Sequence, residues 1–147
     1  TELRSTVQDA VPVNLSDMKI SESETFEKVD ELGVKEDVIG NIYSPGNLYK
    51  MADNQYGESY ATYYLNNNYK RIKGRIAVAD DSGKVNGQFT IYGDDGKILY
   101  NSGEMSRTTA PIDVDVDVSG VQWITLSIEN PDSANFRLLV SDFVLYK

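Results

Sequence analysis

Residues 69–105, YKRIKGRIAVADDSGKVNGQFTIYGDDGKILYNSGEM, decide the fold. The first part, Lys70 to Ala79, alternates along the chain. Ile72, Gly74, Ile76 and Val78 fall on one face and Arg71, Lys73 and Arg75 on the other, which is the pattern of a strand with one buried side. Asp80-Asp81-Ser82-Gly83 ends it, because Asp side chains bond nearby backbone amides and Gly accepts the positive φ of a tight reversal. A second strand spans Gln88 to Tyr92. Gly93-Asp94-Asp95-Gly96 then places an Asp-Gly pair between two apolar runs, a strong hairpin signal, and Lys97 to Tyr100 returns antiparallel.

Around that frame, composition narrows the choices. A chain of 147 residues is one domain by default and buries roughly 70% of its unfolded surface. Residues 1–12 read as an N-terminal arm or the remnant of a linker, and 13–147 as a single domain. With no Cys and no His, disulfides, thiolate nucleophiles, His-based triads and the usual zinc sites are excluded. A net charge of −9 speaks against nucleic acid, where binding draws its strength from cations placed on phosphates. No apolar run is long enough to span a bilayer or form a signal peptide, so no membrane insertion is expected. The chain is then either cytosolic or has lost a leader ahead of Thr1.

Elsewhere the pattern is less regular. Leu15 to Ile20 predicts a short strand with Leu15 and Met18 or Ile20 turned inward. Ser21 to Asp37 is open between a short helix, on the spacing of Phe26, Val29 and Leu32 with Gly33 as cap, and a loop. Val38, Gly40, Ile42 and Tyr43 begin another strand, and Ser44-Pro45-Gly46-Asn47 is a turn.

Seven of the ten tyrosines (Tyr43, Tyr49, Tyr56, Tyr60, Tyr63, Tyr64 and Tyr69) fall between positions 43 and 69, interleaved with Asn47, Asn54, Gln55 and Asn66 to Asn68. A pyranose has C–H faces that lie flat on an aromatic ring and hydroxyls that need amide or carboxylate partners, and this region offers both. Strand packing explains the same rings equally well: Tyr60 to Leu65 reads as a strand with Tyr63 and Leu65 in the core. Tyr56 and Tyr60, at or beside Asn54-Gln55-Tyr56-Gly57, are the better ligand candidates.

IDVDVDV, residues 112–118, alternates strictly, with Ile112, Val114, Val116 and Val118 inward and Asp113, Asp115 and Asp117 outward. Same-face neighbours on a strand stand about 7 Å apart, too far for three carboxylates to share a calcium ion that needs oxygens at about 2.3–2.6 Å. The row instead fits beside Arg71, Lys73 and Arg75 in one sheet, as exposed cross-strand pairs. No metal-ligating set stands out, and a structural calcium at the turn acids Asp80, Asp81, Asp94 and Asp95 remains as an alternative to their serving the turns. In Val121 to Ile128 the inward residues are Ile124, Leu126 and Ile128. Trp123 has the opposite parity, so it is either covered by a loop or left as a platform. The closing strands run from Phe136 to Val140 and from Phe143 to Tyr146, with Asp142 between them.

Many short strands, Gly and Asp turns and little helix make an all-β sandwich. The succession Tyr64-Leu65-Asn66 to Tyr69-Lys70, GRIAVADDS, FTIYGDDGKILYNSGEM and PIDVDVDVSGVQWITLSI resembles the NPCBM family of carbohydrate-binding modules over roughly residues 35–147, in the shorter form found in surface and secreted proteins of Gram-positive bacteria. The resemblance implies a jelly-roll β-sandwich, an extracellular or cell-surface setting among other domains of a larger parent protein, and recognition of host or cell-surface glycans, often galactose-containing, at loops. Longer members carry a His-bearing Gly-rich stretch and an Asp-His-Ala-Asp-Trp run where this chain reads Asp53-Asn54-Gln55-Tyr56-Gly57 and Val140-Ser141-Asp142-Phe143, so no ligand residue carries over by identity.

Two functions follow as expectations. One is a non-catalytic carbohydrate-binding module that stacks sugar on Tyr56, Tyr60 and Trp123 and bonds it through Asn54, Gln55 and Asp142. The other is a structural spacer or protein-interaction domain in which the same tyrosines only pack. A glycosidase would need two carboxyls facing each other across a cleft, and no pair is placed so by the sequence.

Overall fold

The computed structural model describes residues 12–29, 35–52, 59–129 and 136–147. Alternating apolar positions set the strands, in chain order β1 Val13–Asn14, β2 Ile20–Glu24, β3 Phe26–Lys28, β4 Lys35–Glu36, β5 Ile42–Tyr43, β6 Leu48–Ala52, β7 Ser59–Tyr64, β8 Arg71–Val78, β9 Gln88–Tyr92, β10 Ile98–Asn101, β11 Ile112–Asp117, β12 Trp123–Glu129 and β13 Arg137–Tyr146. Among the described residues the only helical pieces are two short 3₁₀ turns, Leu15–Asp17 and Asp94–Gly96. Sheet A runs β11-β8-β13-β6-β3, with β1 paired to the end of β13, and sheet B runs β10-β9-β12-β7-β2. All pairings within them are antiparallel, which gives the expected sandwich.

The core lies between the inward faces. Sheet A contributes Ile72, Ile76, Val114, Leu138, Val140, Phe143, Leu145 and Met51, and sheet B contributes Phe89, Ile91, Ile124, Leu126, Ile128 and Tyr63, all buried. The parity expected from residue 70 onward holds, and Tyr63 and Leu65 lie inside as expected from the preceding strand. The hairpin after β9 also forms as expected. Gly93 N–H donates to the Lys97 carbonyl at 2.7 Å and Lys97 N–H to the Asp94 carbonyl at 3.1 Å, which closes a three-residue loop, Asp94–Gly96, in which Asp95 and Gly96 take the left-handed φ of +57° and +74°.

Three local expectations differ. The 15–20 segment is not a strand: Leu15 is buried in a 3₁₀ turn and the strand begins at Ile20. The open question over 21–37 resolves against a helix within the described residues. Thr25, at φ +49°, breaks the chain between β2 in sheet B and β3 in sheet A, so Phe26 enters the core from an edge strand, while Leu32 and Gly33 lie outside the described residues. The strand expected from Val38 is instead a turn joining β4 and β5. The turn is set by the Asp37 carboxylate, which accepts from Ile39 N–H, from Asn41 N–H and side-chain amide, and from the Tyr43 hydroxyl at 2.7–3.0 Å. A side chain that bonds the backbone two residues on builds a turn where β propensity would continue the strand.

That β4–β5 flap bonds to the end of β8 beyond the reach of β11, through Val38 N–H to the Val78 carbonyl and Asp80 N–H to the Glu36 carbonyl. Under it Val29, Tyr43, Leu48, Ala77, Ala79 and Leu139 form a second apolar cluster. The outward face of β8 is therefore exposed at Arg71, Lys73 and Arg75 and covered at Ala77.

Candidate functional site

The register of sheet B assembles the site. Strand β12 pairs with β7 so that Trp123 stands opposite Tyr64, Thr125 opposite Thr62 and Ser127 opposite Tyr60. These are the positions of outward parity. Down the face they form a run of hydroxyls, with Thr62 and Thr125 in mutual contact at 3.0 Å and the Tyr60 hydroxyl donating to Glu22 at 3.0 Å. At the end of the run Trp123 and Tyr64 remain 41% and 46% exposed. Their rings meet at 4.6 Å between centroids with planes tilted by 46°, a geometry favoured by aromatic quadrupoles. The Tyr64 hydroxyl is tied back to the Asn66 side-chain carbonyl at 2.9 Å. Trp123 is thus left partly exposed and is not covered by a described loop.

Beside the indole lies a hollow of about 460 Å³ lined by Gly93, Asp94, Asp95, Gln122 and Trp123. Its geometry is fixed by Asp94, whose two carboxylate oxygens accept the N–H groups of Gln122 at 3.0 Å and Trp123 at 2.9 Å. This carboxylate bolts the β9–β10 turn to the first residue of β12. The left-handed Asp95 follows it in the same turn, and Asp95 and Gln122 line the hollow together with the indole. The site can stack an apolar ring face on Trp123 and meet hydroxyls with a carboxylate and an amide. Among the described residues no group of three acidic, His or Cys side chains could hold a metal ion.

Of the six residues singled out from the sequence, the three that are described, Tyr60, Trp123 and Asp142, do not converge. Asn54, Gln55 and Tyr56 lie outside the described residues. Tyr60 shares the outward face with Trp123 but sits four residues from Tyr64 along β7, roughly 13 Å away at the strand repeat. Asp142 belongs to sheet A and lines a groove there with Lys73 and Arg75. Tyr64, Gln122, Asp94 and Asp95 were not among the candidates. Parity places Tyr64 outward with Tyr60, but only the β7–β12 pairing brings it to Trp123, and only the folded turn brings Asp94 to the 122–123 backbone.

Fold and site together define a small antiparallel sandwich module that presents an aromatic and polar surface at one end of one sheet. The chain belongs to the NPCBM/NEW2 domain family, whose model matches residues 13–139. No curated protein sequence matches it. Among solved structures it is similar to the CBM51 module of a Clostridium perfringens GH95 protein in complex with methyl-galactose, at 19% identity and a TM-score of 0.73 over 92% of this chain and 99% of that one. It is also similar to the tandem CBM51 modules of a family 98 glycoside hydrolase from Streptococcus pneumoniae, at 16% identity and a TM-score of 0.74 over 92% of this chain and 46% of that one. A third likeness is to the CBM51-2 and INT domains of Clostridium perfringens ZmpB in complex with GlcNAc, at 15% identity and a TM-score of 0.74, where this chain spans 31% of the other. At these identities the likeness establishes the fold.

Proposed function

We propose that this domain is a non-catalytic carbohydrate-binding module that holds a neutral glycan end on Trp123 and Tyr64. The observation that carries the reading is the exposed Trp123–Tyr64 pair, whose indole lines a hollow shared with Asp95 and Gln122. Indole and phenol rings left in water at the edge of a polar hollow suit the C–H face of a hexose, and the carboxylate and amide suit its hydroxyls. Family membership supports the same class, and the likeness to modules solved with methyl-galactose and GlcNAc makes galactose- and N-acetylglucosamine-ended glycans the first to try. Two of the similar structures are longer chains, one with a CBM51 module beside an INT domain and the other with CBM51 modules in tandem. This supports a module of a larger secreted or cell-surface bacterial protein. No helix among the described residues is long and apolar enough to cross a membrane.

Trp123 is the only tryptophan, so its fluorescence reports this site alone. Titration with galactose- and N-acetylglucosamine-ended oligosaccharides is expected to shift or quench the emission saturably, and Trp123→Ala to lose binding on a glycan array. An unresponsive indole together with an array free of hits would leave the spacer reading instead.

A further inference from the structure

Sheet A carries a second hollow, a groove of about 690 Å³ between the 42–47 segment and the outward side of β8 and β13. Its floor forms where β13 slips register against β8. Ser141 pairs with Arg75 and Val144 with Lys73, so Asp142 and Phe143 together stand opposite Gly74. Such a bulge re-aims side chains. Phe143 turns inward across Gly74, where a Cβ would lie 2.1 Å from its ring. Asp142 turns outward at φ +55°, a conformation that costs a non-glycine residue energy and must be held by its surroundings. Asn47 holds it. The Asn47 carbonyl accepts Asp142 N–H at 2.9 Å, its side-chain amide donates to the Phe143 carbonyl at 2.7 Å, and its side-chain oxygen accepts Ser16 N–H at 3.0 Å.

The clamp leaves the Asp142 carboxylate on the groove wall, bonded on one oxygen to the Ser141 hydroxyl at 3.2 Å. Lys73 lines the same groove, its ammonium 5.3 Å from the centroid of the Tyr146 ring. Arg75 is committed elsewhere, to Asp113 at 2.9 Å. The ionic groups left to face a ligand are therefore one ammonium and one carboxylate.

We propose that this groove is a second carbohydrate subsite, taking a neutral pyranose whose neighbouring hydroxyls bridge Lys73 and Asp142. A vicinal diol accepts from an ammonium and donates to a carboxylate at once. The groove lining holds two cations, Lys73 and Arg75, against two carboxylates, Asp113 and Asp142, so neither sign of ligand charge is favoured. Ile42, 69% exposed, and Pro45 offer apolar surface to the C–H face. The choice of a sugar rests on the function proposed above, whereas the bulge and its clamp stand without it. Because the groove and Trp123 lie on outward faces of opposite sheets, the module binds two glycan ends at once, and a multivalent surface holds it by avidity.

The test is backbone-amide NMR on the full chain, titrated separately with methyl galactoside and with N-acetylglucosamine. In wild type and in Trp123→Ala the amides of Gly74, Ser141 and Asp142 are expected to shift with one common midpoint. Asp142→Asn and Lys73→Gln are expected to weaken that midpoint about tenfold or more, the cost of losing a hydrogen bond to a charged group, while the Trp123 indole signal keeps its own response. Asp142→Gly relieves the positive φ, so it should retain or raise the melting temperature while losing the groove response. Silent groove amides with both sugars overturn the proposal whatever Trp123 does, and so does an unchanged midpoint in Asp142→Asn. A responding groove with a silent indole would support this subsite and count against the Trp123 platform.

Discussion

Sheet A turns outward a lattice of charge that is mostly paired within itself, whereas sheet B turns outward hydroxyls and rings that end in the exposed Trp123–Tyr64 pair. In sheet A the β11–β8 register sets Asp113 opposite Arg75, Asp115 opposite Lys73 and Asp117 opposite Arg71. Arg75 bonds Asp113 at 2.9 Å and Arg71 reaches diagonally to Asp115 at 2.7 Å. Where the charges stop, the flap covers the face. In sheet B nothing described covers Trp123 and Tyr64. Both faces obey the same period of two, and they differ in what they leave exposed: charges set opposite one another in sheet A, and two large rings in sheet B. A face satisfied internally contributes solubility and resists edge pairing, while a face left with exposed rings remains available for a ligand.

The largest effect is expected at the seam of sheet A. Gly74→Ala would drive a Cβ into the Phe143 ring, so urea unfolding should lose about 2–3 kcal/mol. A change below about 0.5 kcal/mol would mean that Phe143 repacks freely and that the bulge is not held by the core.

Next comes the flap. Asp37→Ala strips the partner from the buried Tyr43 hydroxyl and from the Asn41 amide, with an expected loss of about 2 kcal/mol. Its pH dependence sharpens the point. Burial works to raise the Asp37 carboxyl, but the hydrogen bonds from Tyr43, Asn41 and Ile39 outweigh it and hold it below the ordinary 3.8. Its contribution is therefore complete above pH 3.8 and is lost as pH falls through the lower folded value. Burial first, then Asp37, pushes Tyr43 up from 10.0 to about 12. That contribution is complete below pH 10 and is lost as pH rises toward 12. Chemical denaturation across pH should show both limbs in wild type, and Asp37→Asn should remove the acid one and weaken the alkaline one.

Trp123→Ala should cost stability only modestly, about 1 kcal/mol for the lost ring contact with Tyr64, and should flatten the near-UV circular dichroism of the pair. A much larger loss would make Trp123 a structural residue and erase the contrast between the faces.

Smallest of all, Asp113→Asn should barely move the melting temperature. The pair is solvent-exposed, and what it contributes should fade as salt is raised. A salt-insensitive penalty would show that the lattice does more than keep the face soluble.

Much of this was legible in the residues. Strict alternation in 70–79 and 112–118 fixed which side chains face inward. Opposite charges on the two outward rows foretold that β8 and β11 are neighbours, because like rows would repel and these attract. Trp123 was placed outward by the parity of Ile124, Leu126 and Ile128. The flap was not legible, because Asp37 makes a turn through bonds to Asn41 and Tyr43 that no periodicity records. The candidate site was legible only in Trp123. Tyr64 looked like another strand tyrosine, and Asp94 like a residue serving its own turn.

By itself, then, the sequence determined which face of each strand is buried, since that depends only on a local repeat of two. Beyond the β8–β11 and β9–β10 neighbours, it did not determine which sheet each strand joins. That assignment came from pairings such as β7 with β12 and β8 with β13, between residues some 60 positions apart. Only those long-range contacts could set Tyr64 against Trp123, bring Asp94 to the backbone of Gln122 and carry Asp142 to the opposite face. A side chain's direction is fixed by its immediate neighbours in the chain, but its company is fixed by strands that meet only when the sandwich closes.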